Sequence, residues 1–203
     1  MNVLGLVGSP RKKGNTDIMV DTFLEGAASA GAAAKKYFLA DLTINQCQGC
    51  FRNCMLAHGV QCKIFRDDMD MLLPEMIASD IMLFASPLYC ASYTAIMARF
   101  FERCLPLWEV EIVGELGTMD ALRFINNPVK GKKAVIGMVQ DLKDPRVAEI
   151  AFKAFEDNLG KTYMMELIEK IHVTDVRDAG DIRNKQKELK KIFELGKHLA
   201  GSI

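Results

Sequence analysis

Short apolar runs alternate along this chain with amphipathic stretches, and this alternation restricts the fold more than any other feature. Strands are predicted at 3–7, 36–39, 81–85, 133–139 and 164–176. Each is followed by a stretch with apolar residues three or four positions apart, which is typical of a helix. Five strands alternating with five helices predict an α/β fold, a doubly wound five-stranded parallel sheet with helices on both faces.

Polar residues mark where two of the helices should begin. Asp67 and Asp68 precede an apolar stripe that continues to Ile77, and carboxylates are favourable at a helix N-terminus. Ser92 is expected to cap the next helix, which should reach Cys104.

One domain over 1–203 is expected, with two departures from the regular alternation. A cysteine-bearing loop lies at about 45–66, and an irregular excursion lies at about 105–131, where the periodicity weakens. The excursion could be a lid, a subunit contact or an inserted helix.

The charge balance excludes some functions. The chain has 26 Lys and Arg residues against 26 Asp and Glu residues, so no overall field favours nucleic acid or an anionic membrane. The longest uncharged stretch, 81–98, is interrupted by Ser86 and Pro87 and is not expected to span a membrane. A chain of this length needs no disulfide scaffold, so a reducing, cytoplasmic location is expected.

The segment 8–16, between the first strand and the first helix, has the composition of a phosphate-binding loop. It offers hydroxyls, a guanidinium, an amide and a flexible glycine: Ser9, Arg11, Gly14, Asn15 and Thr16. Together with the free N–H groups of a helix start, these suit a phosphate monoester. The spacing matches neither the nucleoside triphosphate loop nor the dinucleotide fingerprint. The alternative is an ordinary turn with solvated basic side chains.

Four of the six cysteines fall close together, with the spacing C-x2-C-x3-C-x7-C. They are Cys47, Cys50, Cys54 and Cys62. Four thiolates on one loop suit a [4Fe–4S] cluster or a tetrahedral zinc ion, and unligated structural or redox thiols are the third interpretation. Cys104 is expected in the core, whereas Cys90 lies in the loop after the third strand.

Four motifs carry a family resemblance: VGSPRKKGNT at 7–16, CQGC at 47–50, DDM at 67–69 and SPLY at 86–89. In this order, with the closing strand and helix, they resemble the NADPH-dependent FMN reductase and iron-sulfur flavoprotein family. The resemblance implies a flavodoxin-like fold with strand order 2-1-3-4-5 and bound FMN. It also implies a homodimer or homotetramer.

The resemblance also implies roles for individual residues. The FMN phosphate would be held by Ser9, Arg11, Asn15 and Thr16, and Gly14 would let the backbone approach. The isoalloxazine ring would be bordered by Pro87, Leu88, Tyr89 and Cys90. For Tyr89, a place in the core is the alternative. No catalytic side chain is expected, because the flavin itself carries the chemistry.

Two departures from the family pattern stand out. The loop after the fourth strand, VQDLKD at 139–144, is bulkier than the glycine-rich loop of related chains, and no flavin contact is assigned to it. The cysteine spacing is looser than the family motif, which has two residues between successive members of its first three cysteines.

The expected function is an FMN-dependent oxidoreductase that takes electrons from NAD(P)H and passes them to a soluble acceptor, either a small molecule or a protein. One alternative is a flavodoxin-type electron-transfer protein reduced by ferredoxin. The other is an interaction protein on the same scaffold, stabilised by zinc or controlled by its thiols.

Overall fold

A computed structural model describes residues 1–50, 53–56, 59–115, 117–118 and 121–201. The strands are β1 Asn2–Val7, β2 Ala33–Phe38, β3 Ile81–Pro87, β4 Glu109–Ile112, β5 Leu122–Asn126, β6 Lys133–Val139 and β7 Glu166–Val173. The helices are α1 Asn15–Ser29, α2 Met69–Ala78, α3 Ala95–Arg103, α4 Glu149–Glu156 and α5 Gln186–Gly201.

Five of these strands form one parallel sheet in the order β2-β1-β3-β6-β7. This is the predicted flavodoxin-like order 2-1-3-4-5, so the predicted fold class is confirmed. Every residue of the central strand β3 is buried, which explains its continuous apolar sequence.

Alternate residues of β1 serve two cores, one on each face of the sheet. Leu4 and Leu6 pack in the core that includes residues of α2, α3 and α4. Val3 and Val7 pack in the core that includes residues of α1 and α5. Because side chains alternate across a strand, this single strand stabilises both layers.

Helices α1 and α5 approach each other closely through two glycines. A Cβ atom on Gly26 would lie 2.0 Å from the Phe193 carbonyl oxygen, and one on Gly196 would lie 2.1 Å from the Phe23 carbonyl oxygen. No side chain fits at either position, so the spacing of this helix pair depends on glycine at both.

The predicted irregular excursion contains regular structure. β4 and β5 form a separate two-stranded antiparallel ribbon, and the Trp108 ring packs edge-on against Phe124, with 5.1 Å between centroids. The alternating polar and apolar residues of β4, EVEI, are the signal that could have revealed the ribbon.

Helix α3 begins two residues later than predicted. Its N-cap is Thr94, whose Oγ1 accepts a hydrogen bond from the Met97 N–H at 3.2 Å, so the prediction of Ser92 as the cap was wrong. Ser92 instead pairs with Tyr89 in a tight turn. In the described part of the chain, no helix is both long and apolar enough to cross a bilayer.

Candidate functional site

The loops that follow β1, β3 and β6 lie at the carboxyl edge of the sheet. These three strands are neighbours in one parallel sheet, so their carboxyl ends meet at one edge. In doubly wound folds, ligands bind in the crevice at this edge. The predicted phosphate loop and the predicted ring-binding loop are the first two of these segments.

The phosphate loop is held in shape by its own side chains. The buried Ser9 hydroxyl accepts the Arg11 N–H at 3.1 Å. The buried Asp17 carboxylate accepts the Lys13 N–H at 2.7 Å. Gly14 is required here, because a Cβ atom would lie 2.9 Å from the Arg11 carbonyl oxygen.

This loop presents unused donors. Among the described residues, the N–H groups of Asn15 and Thr16 have no backbone acceptor, as is usual in the first turn of a helix. The exposed Arg11 guanidinium is in no ion pair with the described residues. Lys36 Nζ, 2.7 Å from Asp17 Oδ1, offsets the one carboxylate in this turn. The net arrangement suits an anion.

The Asn15 side chain, predicted to hold phosphate, is already engaged elsewhere. Its Nδ2 donates to the carbonyl oxygens of Val176 and Asp178 at 3.4 and 2.9 Å. Its Oδ1 accepts the N–H groups of Gly180 and Ile182 at 3.0 and 3.1 Å. The buried amide therefore fixes the loop after β7, and the backbone N–H is the group of Asn15 that remains for a ligand.

The second loop ends in a tight turn at the surface. Pro87 is buried, and Leu88 is held by a 2.8 Å hydrogen bond from its N–H to the Val139 carbonyl oxygen. Tyr89 is 40% exposed, which places it outside the core. Cys90 and Ala91 have φ values of +49° and +58°, a conformation that glycine adopts more readily than other residues. Pro87–Cys90 thus supplies an exposed aromatic and a thiol beside the crevice.

A buried hydroxyl that the sequence analysis missed joins the first two loops. Thr94 Oγ1 donates to the Gly8 carbonyl oxygen at 2.5 Å, and the Thr94 N–H donates to Ser86 Oγ at 3.0 Å. The connection spans 86 positions of sequence, so no local pattern could reveal it. It fixes the phosphate loop relative to the loop after β3.

The third loop, which follows β6, is shaped by Gln140. The buried Gln140 Nε2 donates to the carbonyl oxygens of Leu142 and Asp144, both at 2.8 Å. Its Oε1 lies 3.0 Å from His172 Nε2. Burial lowers the pKa of His172. The amide stabilises a loop whose outer residue, Leu142, is exposed.

The four clustered cysteines come together. Cys47, Cys50, Cys54 and Cys62 all line one small cavity that also contacts Arg103. The N–H groups of Gly49 and Phe65 donate to the sulfurs of Cys47 and Cys62, each at 3.4 Å. Burial is the main cause that raises the pKa of Cys54 to about 11, and the charge of the neighbouring Cys50 is the second.

The side chains around the cysteine cavity are not arranged as ligands of a single metal ion. Within the described residues, no group of three or more His, Cys, Asp and Glu side chains is arranged to hold one metal ion. The donor set itself, four sulfurs beside a guanidinium, suits an anionic thiolate-ligated group. Cys104 is buried in the core, as predicted, and Cys90 is exposed.

The ends of the cysteine loop are fastened to α3. Arg103 Nη1 donates to the Asn45 carbonyl oxygen at 2.8 Å, and the same guanidinium forms a bidentate ion pair with Asp67. Burial alone would raise the pKa of Asp67, but hydrogen bonds from Arg103 and Asn45 lower it to about 2. The loop therefore closes on a buried ion pair.

The sheet order and the loops at its carboxyl edge define a flavodoxin-like fold, and the turn after its first strand has donors that suit an anion. The sequence model of the NADPH-dependent FMN reductase family matches residues 1–119, more than half of the chain. The chain belongs to this family.

Curated relatives are similar over part of their length. An iron-sulfur flavoprotein of Archaeoglobus fulgidus is 40% identical over 106 residues, 52% of this chain and 46% of that protein. An iron-sulfur flavoprotein of Methanocaldococcus jannaschii is 36% identical over 107 residues, 53% of each. The chain spans about half the length of the curated relatives it matches.

A solved structure with the same fold is the NAD(P)H:quinone oxidoreductase from Methanothermobacter marburgensis. It superposes with a TM-score of 0.73 and 16% sequence identity, over 98% of each chain. At this identity the likeness shows the shared fold.

Proposed function

We propose that this protein is an NAD(P)H-dependent oxidoreductase that holds FMN at the carboxyl edge of its sheet and reduces a soluble acceptor. The observation that carries the proposal is the phosphate loop. There the unused N–H groups of Asn15 and Thr16 lie beside Arg11, which has no ion-pair partner among the described residues. A phosphate monoester would complete these donors.

The residues present fit FMN. Ser9 and Gly14 hold the loop in shape, while Arg11 and the first-turn N–H groups would bind the phosphate. The ring would lie against the turn at 87–90. FMN, when bound, supplies hydride acceptance and one- or two-electron transfer. For a quinone acceptor the balance is NAD(P)H plus one proton and the quinone, giving NAD(P)+ and the hydroquinone.

The test is flavin binding followed by donor mixing. Protein purified under argon should carry flavin absorbance or take up added FMN with a saturable change in flavin fluorescence. Rapid mixing with NADPH and with NADH should then bleach the flavin. Protein that takes up no FMN contradicts the proposal, and an FMN complex that neither nicotinamide bleaches contradicts its reductase part.

For the cysteine cavity we propose a [4Fe–4S] cluster, supported by four sulfurs around a common space and by two N–H···S hydrogen bonds. Zinc and unligated thiols are the alternatives. Iron, zinc and acid-labile sulfide are measured on anaerobic protein, with Cys62→Ser as the test variant and the exposed Cys90→Ser as its control. We expect iron and sulfide in the wild type and in Cys90→Ser, and their loss in Cys62→Ser. Zinc without sulfide, or no metal, contradicts the cluster.

A second candidate function is an electron-transfer protein reduced by ferredoxin, and the cysteine cavity favours it, because a nicotinamide can reduce a flavin without iron. Mixing with reduced ferredoxin separates the two functions. Bleaching of the flavin by reduced ferredoxin but by neither nicotinamide supports the electron-transfer protein. Faster bleaching of the flavin by NADPH or NADH supports the reductase.

We also propose a homodimer or homotetramer. The ribbon β4–β5 exposes apolar side chains, with Val113 beside it 53% exposed and Ile125 within it 50% exposed, and a subunit contact would cover them. Light scattering should give a mass of two or four chains, and Ile125→Glu should lower it. A monomeric wild-type protein contradicts this assignment.

A further inference from the structure

One buried residue, Thr94, is bonded to both of the loops that would hold the opposite ends of FMN. Its side chain is 4% exposed. Its Oγ1 donates at 2.5 Å to the carbonyl oxygen of Gly8, the first residue of the phosphate loop. Its N–H donates at 3.0 Å to Ser86 Oγ, just before the turn at 87–90. A single residue thus holds the start of each loop.

Further hydrogen bonds between the same segments complete this link. The Gly8 N–H donates to the Ala85 carbonyl oxygen at 2.7 Å, and Ser86 Oγ donates to the Pro87 carbonyl oxygen at 2.9 Å. The side-chain bonds of Thr94 and Ser86 are all buried, so water does not compete for them. The starts of the two loops are therefore fixed relative to each other.

The Thr94 hydroxyl does more than cap α3. As the N-cap, its Oγ1 accepts the Met97 N–H at 3.2 Å, and Asp or Asn would accept this bond as well. The bond to Gly8 requires a donor on the same atom. Serine and threonine are the N-cap residues whose single side-chain oxygen both accepts and donates. The position therefore calls for a hydroxyl, which the cap alone does not.

A fixed distance between two binding loops matters for a ligand that occupies both. A ligand with two binding groups gains affinity when its two subsites are held at the spacing that the ligand spans. FMN has a phosphate, which suits Arg11 and the first-turn N–H groups, and a ring, which suits the turn at 87–90. If the loops shifted apart, each subsite would still bind its own group, but one FMN molecule would fill both only with strain.

We propose that Thr94 is a positioning residue for the flavin: its hydroxyl sets the spacing between the phosphate subsite and the ring subsite, so that both bind one FMN molecule together. Thr94 acts through Gly8 and Ser86 rather than by contact with the flavin. The inference rests on the proposed function, because it requires FMN to span the two loops.

Three probes separate the subsites: FMN for both, riboflavin for the ring subsite and inorganic phosphate for the phosphate subsite. Fluorescence titration of flavin-free protein gives the two flavin affinities, and the rise in melting temperature with added phosphate gives the third. Thr94→Val keeps the shape of the side chain and removes the hydroxyl. It should weaken FMN binding about 10-fold through the loss of a buried hydrogen bond, and change the affinities for riboflavin and phosphate by less than about 2-fold.

Three further variants complete the test. Ser86→Ala removes the acceptor of the Thr94 N–H but keeps the cap of α3, and it should weaken FMN binding in the same selective way. Thr94→Ser keeps the hydroxyl and should bind FMN as the wild type does. Thr22→Val is the matched control, because Thr22 Oγ1 donates at 2.8 Å to the Ile18 carbonyl oxygen within α1, outside both loops. It should bind all three probes as the wild type does.

The pattern of losses decides the inference. Equal losses for FMN and riboflavin, or for FMN and phosphate, would place the effect within one subsite and overturn it. So would a Thr94→Val protein that melts lower but binds FMN normally, or a Thr94→Ser protein that binds FMN as weakly as Thr94→Val. If Thr94→Val does not fold, Ser86→Ala decides by the same criteria. A wild type that takes up no FMN contradicts the proposed function as well, whereas the other outcomes contradict the inference alone.

Discussion

Arg103 of α3 and Asp67, just after the cysteine loop, form a bidentate ion pair whose side chains are only 2% and 1% exposed. Arg103 lines the cysteine cavity, and Asp67 also accepts the Met69 N–H at the start of α2. The pair therefore links three features: the loop, α2 and α3. A buried pair is costly to break, because removal of one partner leaves a buried charge uncompensated.

Asp67→Asn should lower the free energy of unfolding at pH 7 by about 3–5 kcal/mol. The folded pKa of Asp67, about 2, lies below its ordinary value of 3.8, so its stabilising effect is present above about pH 4 and is lost as the pH falls toward 2. The difference in free energy of unfolding between the wild type and Asp67→Asn should therefore decrease by about 2 kcal/mol as the pH falls from 4 to 2. Urea unfolding at several pH values measures it.

Asp70→Asn, in the first turn of α2, is the control for this comparison, because no ion pair of Asp70 is found among the described residues. It should change stability by less than about 0.5 kcal/mol, as surface substitutions usually do. Equal stability of wild type and Asp67→Asn at pH 7 would show that the pair contributes little.

Arg11→Ala should weaken FMN binding about 10-fold or more, since a hydrogen bond to a charged group is worth about 1.5–3 kcal/mol. Riboflavin lacks the phosphate, so its affinity should not change. Lys12→Ala is the control, because Lys12 Nζ is paired with Asp41 at 2.8 Å. Flavin fluorescence titrations measure the affinities of the wild type and of both variants for FMN and for riboflavin, and an equal loss for FMN and riboflavin in Arg11→Ala would place Arg11 away from the phosphate.

Gly196→Ala should destabilise the protein by about 1–3 kcal/mol, in the range of overpacked cores. The added Cβ would lie 2.1 Å from the Phe23 carbonyl oxygen, and a backbone atom cannot move aside as a flexible side chain can. Gly201→Ala is the control in the same helix, with no atom within 4 Å of its Cβ. Thermal melts should separate the two variants, and matching melting temperatures would contradict close packing of α1 and α5.

The centre of the sheet was predictable from sequence because β1, β3 and β6 are buried on both faces. The apolar run at 81–85 became the fully buried β3. The alternation of strand and helix predicts a parallel sheet, whereas the order of its strands was implied by the family resemblance. The ribbon β4–β5 was missed because its strands are short and only one of their residues is buried. Their apolar residues form no continuous run.

The candidate site was predictable only where its contacts are local. The hydrogen bonds that shape the loop at 8–16 join residues two and four positions apart, through Ser9 and Asp17. The local composition is therefore enough to predict this loop. Thr94 and Arg103 act on partners 86 and 36 positions away in sequence. Such pairs depend on how the layers pack, and a single sequence carries no periodic signal for them.

Asn15→Ala separates the two roles that sequence and structure give this residue. The side-chain amide makes four hydrogen bonds to the loop after β7, so its removal should lower the free energy of unfolding by about 3 kcal/mol, as buried groups lose their partners. The backbone N–H is kept, so FMN affinity should fall far less than in Arg11→Ala. Asn184→Ala, at an exposed position, is the control and should change neither quantity. Urea unfolding and FMN titration are run on the same samples. Loss of FMN binding with stability unchanged would instead mean that the amide contacts the phosphate.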